Sequence, residues 1–227
     1  MKMRIVFLVL LAGASALFGF EEYWVRTHYI ALGADISLSK GNMNGQKILT
    51  AGETAEAERT AVPEIGHFIV PNVELGANMN AHTVALSFGI WKPNMETEKY
   101  TSEESKERGW FWRVGAEYRY YFLFPEVFQI GLGINYSFTR ISLPKAVESE
   151  DSTGTPTQGE AVFSGNGPAF VASARYYLND NLALEAVLRA RLISFGYVTT
   201  PESGFSNLDD SLWQFFGELG VRAVMQF

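Results

Sequence analysis

The sequence has no cysteine, which excludes a disulfide framework, a thiolate metal site, a thiol nucleophile and lipid attachment at an N-terminal cysteine. Histidine is almost as scarce, with only His28, His67 and His82, so chemistry that needs a histidine base has three candidates. Basic residues number 18 against 25 acidic ones, for a formal net charge of -7; nucleic-acid binding needs a basic footprint that this balance lacks. Past Phe20 no apolar run approaches the roughly 20 residues that a helix needs to cross a bilayer. A membrane-spanning chain of this sequence therefore has to span with strands.

What is present begins with an address. Lys2 and Arg4 precede the apolar run Ile5–Leu11, and Ala14-Ser15-Ala16 supplies small residues at a cleavage site. This is the pattern of an export signal over residues 1–16, cut after Ala16 or, as second choice, Gly19. An uncleaved anchor would need a longer span. Residues 20–227 are expected to form one domain.

That domain alternates. In Leu212–Phe227, every second residue from Trp213 to Phe227 is apolar or glycine, whereas the other phase carries Gln214, Glu218, Arg222 and Gln226. The same period of two predicts strands over about 28–39, 66–77, 83–91, 110–122, 128–142, 169–178 and 182–195. Pro71 interrupts the second of these and predicts a bulge or break, because proline cannot donate to a ladder. Asn78-Met79-Asn80, Phe124-Pro125-Glu126 and Asn179-Asp180-Asn181 read as short turns, the last with residues suited to left-handed backbone. Lys40–Glu64, Lys92–Arg108, Leu143–Gly167 and Gly196–Ser211 read as long polar loops.

Eight strands joined by connections that alternate long and short predict an all-β, eight-stranded antiparallel up-and-down transmembrane β-barrel. The ordered alternative is a soluble calyx, in which the apolar phase lines a cavity and the charged phase meets water. Two patterns favour the membrane barrel. The charged phase is also the one rich in Gly and Ser, and aromatics gather at strand ends. Tyr118, Tyr120, Phe122, Phe128 and Tyr176 fall at the short-turn ends, and Trp110, Trp112, Phe138 and Trp213 at the loop ends, as two interfacial girdles would.

With its export segment, the hairpin YYLNDNLALE at Tyr176–Glu185 and a terminal strand ending at Phe227, the chain resembles the small outer-membrane β-barrels of the OmpA-transmembrane, OmpX or OmpW type. The resemblance implies an outer-membrane location in a Gram-negative-type bacterium, periplasmic chaperones and the barrel-assembly machinery as partners in biogenesis, and a monomer in outer-membrane lipid. It makes Phe227 an assembly signal. The final strand departs from the common pattern in that Val221, Ala223 and Met225 are aliphatic.

An eight-stranded barrel is just wide enough to be filled by side chains. Its inward phase here carries Asp35, Glu74, Glu117, Glu185 and Glu218 against Arg113, Arg119, Arg175, Arg189, Arg191 and Arg222. Glu218 is expected level with Arg189 and Arg191, and Arg222 near Glu185, which makes these hairpin neighbours the natural partners. The network is either a salt-bridged plug or the lining of a narrow, charge-selective pore, porin-like or OmpW-like, for small or hydrophobic solutes. His28 and His82 fall at short-turn ends and His67 on the lipid-facing phase, away from Asp209, Asp210 and Ser211; no catalytic group is expected. No cofactor or metal is expected either, since no calcium-loop spacing occurs. The long connections are acidic, with Glu53, Glu56, Glu58 and Glu64, then Glu96, Glu98, Glu103, Glu104 and Glu107, then Glu148, Glu150, Asp151 and Glu160. They read as solvated surface or as a site for an extracellular ligand. Trp91, Trp110 and Trp112 belong to the girdle or to an apolar mouth. Deleting Phe227 is expected to slow insertion before it weakens the folded barrel. Pulse-chase accumulation in the outer membrane measures this, and an unchanged rate contradicts the assembly role.

Overall fold

The computed structural model describes residues 26–43, 48–51, 58–98, 104–123, 127–150, 156–200 and 204–227. The export signal with its cleavage site, the turn at 124–126, and Glu53, Glu56, Glu103 and Asp151 lie outside them. The strands in chain order are β1 Arg26–Gly41, β2 Ile48–Ala51, β3 Glu58–Ala61, β4 Phe68–Met79, β5 His82–Trp91, β6 Asn94–Glu98, β7 Glu104–Arg108, β8 Trp110–Leu123, β9 Phe128–Glu150, β10 Pro156–Asn179, β11 Leu182–Thr200 and β12 Gly204–Gln226.

Eight of them form a closed ring. β1, β4, β5, β8, β9, β10, β11 and β12 each pair antiparallel with the next, and β12 returns to β1. The seam runs in one register from Tyr29 opposite Gln226 to Gly41 opposite Gln214. At its lower end the Phe227 N–H donates to the His28 carbonyl at 2.9 Å and the His28 N–H to that of Phe227 at 3.1 Å. Deleting Phe227 therefore removes seam bonds as well as a terminal aromatic.

Burial follows the period of two with the usual polarity reversed. On β11, Leu184, Leu188 and Leu192 are exposed while Glu185, Arg189 and Arg191 are buried. On β5, Leu86 is 59% exposed between buried Ala85 and Ser87. A continuous aliphatic band of this kind is foreign to a water-facing surface. It is the outer face of a membrane barrel, and the calyx arrangement, with its apolar phase inward, is overturned.

The long connections are more ordered than their composition predicts. β9 and β10 continue their ladder from Ala161 opposite Leu143 up to Pro156 opposite Glu150, with one register shift between Gly159 and Ala161. β2 and β3 form a hairpin whose Arg59 and Thr60 pair with Glu148 and Val147 of β9. β6 and β7 form a separate hairpin, and β11 and β12 stay paired up to Thr200 opposite Gly204. The expected loops are thus largely sheet. Beyond the bilayer both faces can be polar, so the alternation disappears from the sequence while the backbone ladder persists.

Two local expectations are also corrected. Pro71 sits opposite Ala34 without a register shift; the ladder from β4 to β5 starts only at Asn72 opposite Gly89, so the proline ends a pairing instead of bulging a strand. Among the described residues only Asn80 takes positive φ outside glycine, at 55°, in the two-residue turn between β4 and β5. The β10–β11 turn does without left-handed backbone: the Asn179 side-chain oxygen accepts the N–H of Asn181 at 3.0 Å and of Leu182 at 2.9 Å, an Asx turn.

Gly33 marks a close approach of backbones at the seam. A Cβ there would lie 2.1 Å from the Val221 carbonyl oxygen and 2.7 Å from Arg222 Cγ. Gly33→Val is expected to abolish closure, read as loss of the compact, heat-modifiable band on SDS gels. Gly66→Ala, where nothing lies within 4 Å, should leave that band unchanged.

Candidate functional site: the filled lumen

The inward phase brings all eleven of the predicted charged residues into the lumen, and all are buried. Glu74 on β4 is the hub. It forms ion pairs with Arg119 of β8 and Arg222 of β12, lies 3.4 Å from Arg189 Nη2, and accepts the Tyr29 hydroxyl at 2.6 Å. Glu185 takes Arg119 Nη1 at 2.6 Å, Arg175 Nη2 at 3.2 Å and the Tyr121 hydroxyl at 2.8 Å. Glu117 takes Arg189 Nη2 at 2.9 Å, Arg119 Nε at 3.0 Å and the Asn135 amide at 3.2 Å. Glu218 is shared by Arg113, in direct contact, and Arg191 at 3.4 Å. Asp35 accepts the Asn72 amide at 3.1 Å and has Arg189, Arg113 and Arg222 around it at 3.6, 3.8 and 3.8 Å.

The partners differ from the expected hairpin neighbours. Arg189 does stand opposite Glu218, and Glu185 opposite Arg222. Yet Arg189 bonds Glu117 and Glu74, Arg222 bonds Glu74, and Glu185 bonds Arg119 and Arg175. Of the expected set only Glu218 with Arg191 is a pair. The reason is length. Opposition alone does not decide pairing, since Arg175 does bond Glu185 directly opposite it on β11. Beyond such a neighbour, an extended guanidinium also reaches the facing wall of so narrow a ring, as Arg119 does to Glu185. Small inward residues make the room: a Cβ on Gly220 would come within 2.0 Å of Asp35 Oδ1.

Two apolar layers close over the charges. On the loop side Phe68, Phe111, Ile141, Phe163, Ile193, Phe195, Leu212 and Phe216 pack inside the ring, joined by Met43, Val62, Ile65 and Met95 from the connections. Phe111 lies edge-on to Phe68 at 5.1 Å and to Phe216 at 6.3 Å. On the turn side Tyr29, Ala31, Ala85, Ala183 and Val224 pack together with Tyr177. Sequence reasoning misses the loop-side layer. Its one sign in the sequence is that both strand phases turn apolar there, as in Trp110-Phe111-Trp112 and Leu192-Ile193.

The three histidines lie outside the lumen network. His28 stacks on Phe227 at 6.3 Å, His67 is exposed, and His82 Nδ1 is 2.7 Å from the Tyr118 hydroxyl. Among the described residues no group of three or more His, Asp or Glu side chains is arranged to hold a metal ion. At the outer surface Lys92 Nζ sits 5.1 Å from the Trp110 ring centre and Trp112 packs on Phe138 at 5.5 Å, both at the loop-side end of the aliphatic band.

Neither a family model nor a curated protein matches the sequence. Solved structures do match the fold. Neisserial surface protein A is 14% identical, with a TM-score of 0.50 over 88% of this chain and 97% of that one. The fold is that of an outer-membrane β-barrel. Other such barrels align over similar lengths. The attachment invasion locus protein Ail of Yersinia pestis is 14% identical, covering 89% of this chain and 99% of its own at a TM-score of 0.46. A major outer membrane protein of Thermus thermophilus is 13% identical, covering 88% and 99% at 0.45.

Within this barrel, removing one member of a buried charge pair leaves the other uncompensated, at about 3–5 kcal/mol. Glu74→Ala, which leaves Arg222 with no carboxylate nearer than Asp35 at 3.8 Å while Arg119 keeps Glu185 and Glu117, is expected to destabilise the barrel by about that much in urea unfolding from detergent or lipid. Glu218→Ala, which removes the one carboxylate that bonds Arg113 and Arg191, should cost at least as much. Equal and negligible effects would show that the network contributes nothing to stability.

Proposed function

We propose that the chain is a non-enzymatic, monomeric protein of the outer membrane of a Gram-negative-type bacterium, delivered through a cleaved export signal and inserted by the barrel-assembly machinery. Both termini then face the periplasm, and the extended hairpins rise from the cell surface, where they serve a structural role or contact an extracellular partner. The observation that carries this reading is the lumen itself, where opposing charges are bonded across the ring and shut between two apolar layers. Such an interior supports a rigid pedestal more than a conduit. It leaves the surface hairpins as the part available to a partner, with exposed Glu64 and Glu160 among their described groups.

Two measurements test it. The purified barrel in planar bilayers is expected to be electrically silent at neutral pH; steady unitary conductance would establish the narrow channel instead. Because the chain has no cysteine, single substitutions report topology cleanly. Lys145→Cys, exposed on the β9 extension, should react with a membrane-impermeant maleimide on intact cells. Asp180→Cys, in the β10–β11 turn, should react only after the outer membrane is broken, and the reverse pattern would invert the orientation.

A further inference from the structure

The charges of the lumen do not balance. Among the described residues it buries six arginines, Arg113, Arg119, Arg175, Arg189, Arg191 and Arg222, against five carboxylates, Asp35, Glu74, Glu117, Glu185 and Glu218. The shortfall of carboxylate is steepest on the loop side. In the middle and lower lumen Arg119, Arg175, Arg189 and Arg222 meet Glu74, Glu117 and Glu185, and Asp35 lies 3.6 Å from Arg189 and 3.8 Å from Arg222. Towards the loops, Arg113 and Arg191 share the single carboxylate of Glu218. Asp35 approaches Arg113 only to 3.8 Å, beyond hydrogen-bond length.

Unused donors occur through the lumen, Arg189 Nη1 and Arg222 Nε among them, and the loop-side layer has its own. Arg191 spends Nη1 on the Asn135 side-chain oxygen at 2.6 Å and on the Ser137 hydroxyl, while its Nε is buried without a hydrogen-bond partner. The Thr139 hydroxyl, on the residue opposite Arg113, is also buried and unpartnered. Phe111 and Phe216 roof the layer, with the Arg113 guanidinium 5.8 Å from the Phe111 ring centre. A guanidinium cannot shed its charge by deprotonating. An uncompensated charge sealed in so apolar a setting is strongly unfavourable.

We infer that the Arg113–Arg191–Glu218 layer holds one small monovalent inorganic anion of the halide class, taken up as the barrel closes. A single negative charge balances the excess. A divalent oxyanion would overshoot it and would need more donors than the layer offers. The aromatic roof favours a weakly hydrated ion such as chloride or bromide. This site rests on the lumen alone, so it stands or falls separately from the role assigned to the surface hairpins.

The test refolds the full-length mature barrel from urea into detergent in sodium chloride, sodium bromide or sodium methanesulfonate at equal ionic strength, so that no ion has to cross a closed lumen. The halide samples are expected to melt higher by on the order of 3 °C, saturating with concentration. Crystals grown in bromide should show an anomalous peak within hydrogen-bond reach of Arg191. Arg191→Gln brings the count to five against five and should melt alike in all three salts. Identical melting of the unaltered barrel in every salt, or a bromide crystal without a peak in this layer, overturns the inference. So does a halide shift that survives in Arg191→Gln, since it would arise outside the site. Should that variant fail to fold, the anomalous measurement on the unaltered protein decides alone.

Discussion

A ring of eight strands leaves no room for bulk water, so every inward charge must find its counter-charge on another part of the wall. The rest of the structure is arranged around that requirement. Glycines and serines thin the inward phase so that guanidinia can lie across the lumen. The carboxylates each gather two or more cations instead of forming isolated pairs. Glu74 alone ties β4 to β8, β11 and β12, so a side-chain network reinforces from within what the backbone ladder closes from without.

The same requirement accounts for the two apolar layers. Charged groups pair strongly only where water is kept from them, and Phe111 with Phe216 above and Tyr29 with Val224 below provide that exclusion. The outer face follows a simpler rule, since its neighbours are hydrocarbon: aliphatic side chains at the middle and aromatic ones near the ends. One strand thus serves two solvents in alternate residues, and β11, with Leu184 to Leu192 outside and Glu185 to Arg191 inside, is the clearest instance.

How much of this the sequence carries depends on which physical boundary writes the pattern. Wherever a strand separates lipid from lumen, the period of two is sharp, and strand positions, inward residues and turn placement can all be read from it. Above the bilayer the boundary is water on both sides, and the hairpins of β2 with β3 and of β6 with β7 leave no clean period of two. The partner choice inside the ring is legible only as charge balance by strand level; that Arg222 bonds Glu74 and not the adjacent Glu185 depends on reach across the lumen, which a one-dimensional spacing does not contain. The loop-side aromatic layer is masked for a related reason. Its residues sit beside girdle aromatics, and two apolar phases side by side look like a local excess of hydrophobicity. Pro71 misleads because a proline is a fault in a strand only where a neighbour needs its N–H.

The staves are of very unequal length. Four in succession, β9, β10, β11 and β12, have 23, 24, 19 and 23 residues, whereas β1, β4, β5 and β8 have 16, 12, 10 and 14. At about 3.3 Å per residue, the longer staves outreach the shorter by some tens of ångströms on the side of the hairpins. The molecule therefore has a front and a back within the plane of the membrane, a tall screen standing behind a low sill. A body arriving along the membrane meets long continuous staves from one direction and, from the other, short staves with the separate β6–β7 hairpin, so the protein's heading about the bilayer normal becomes a variable in any encounter.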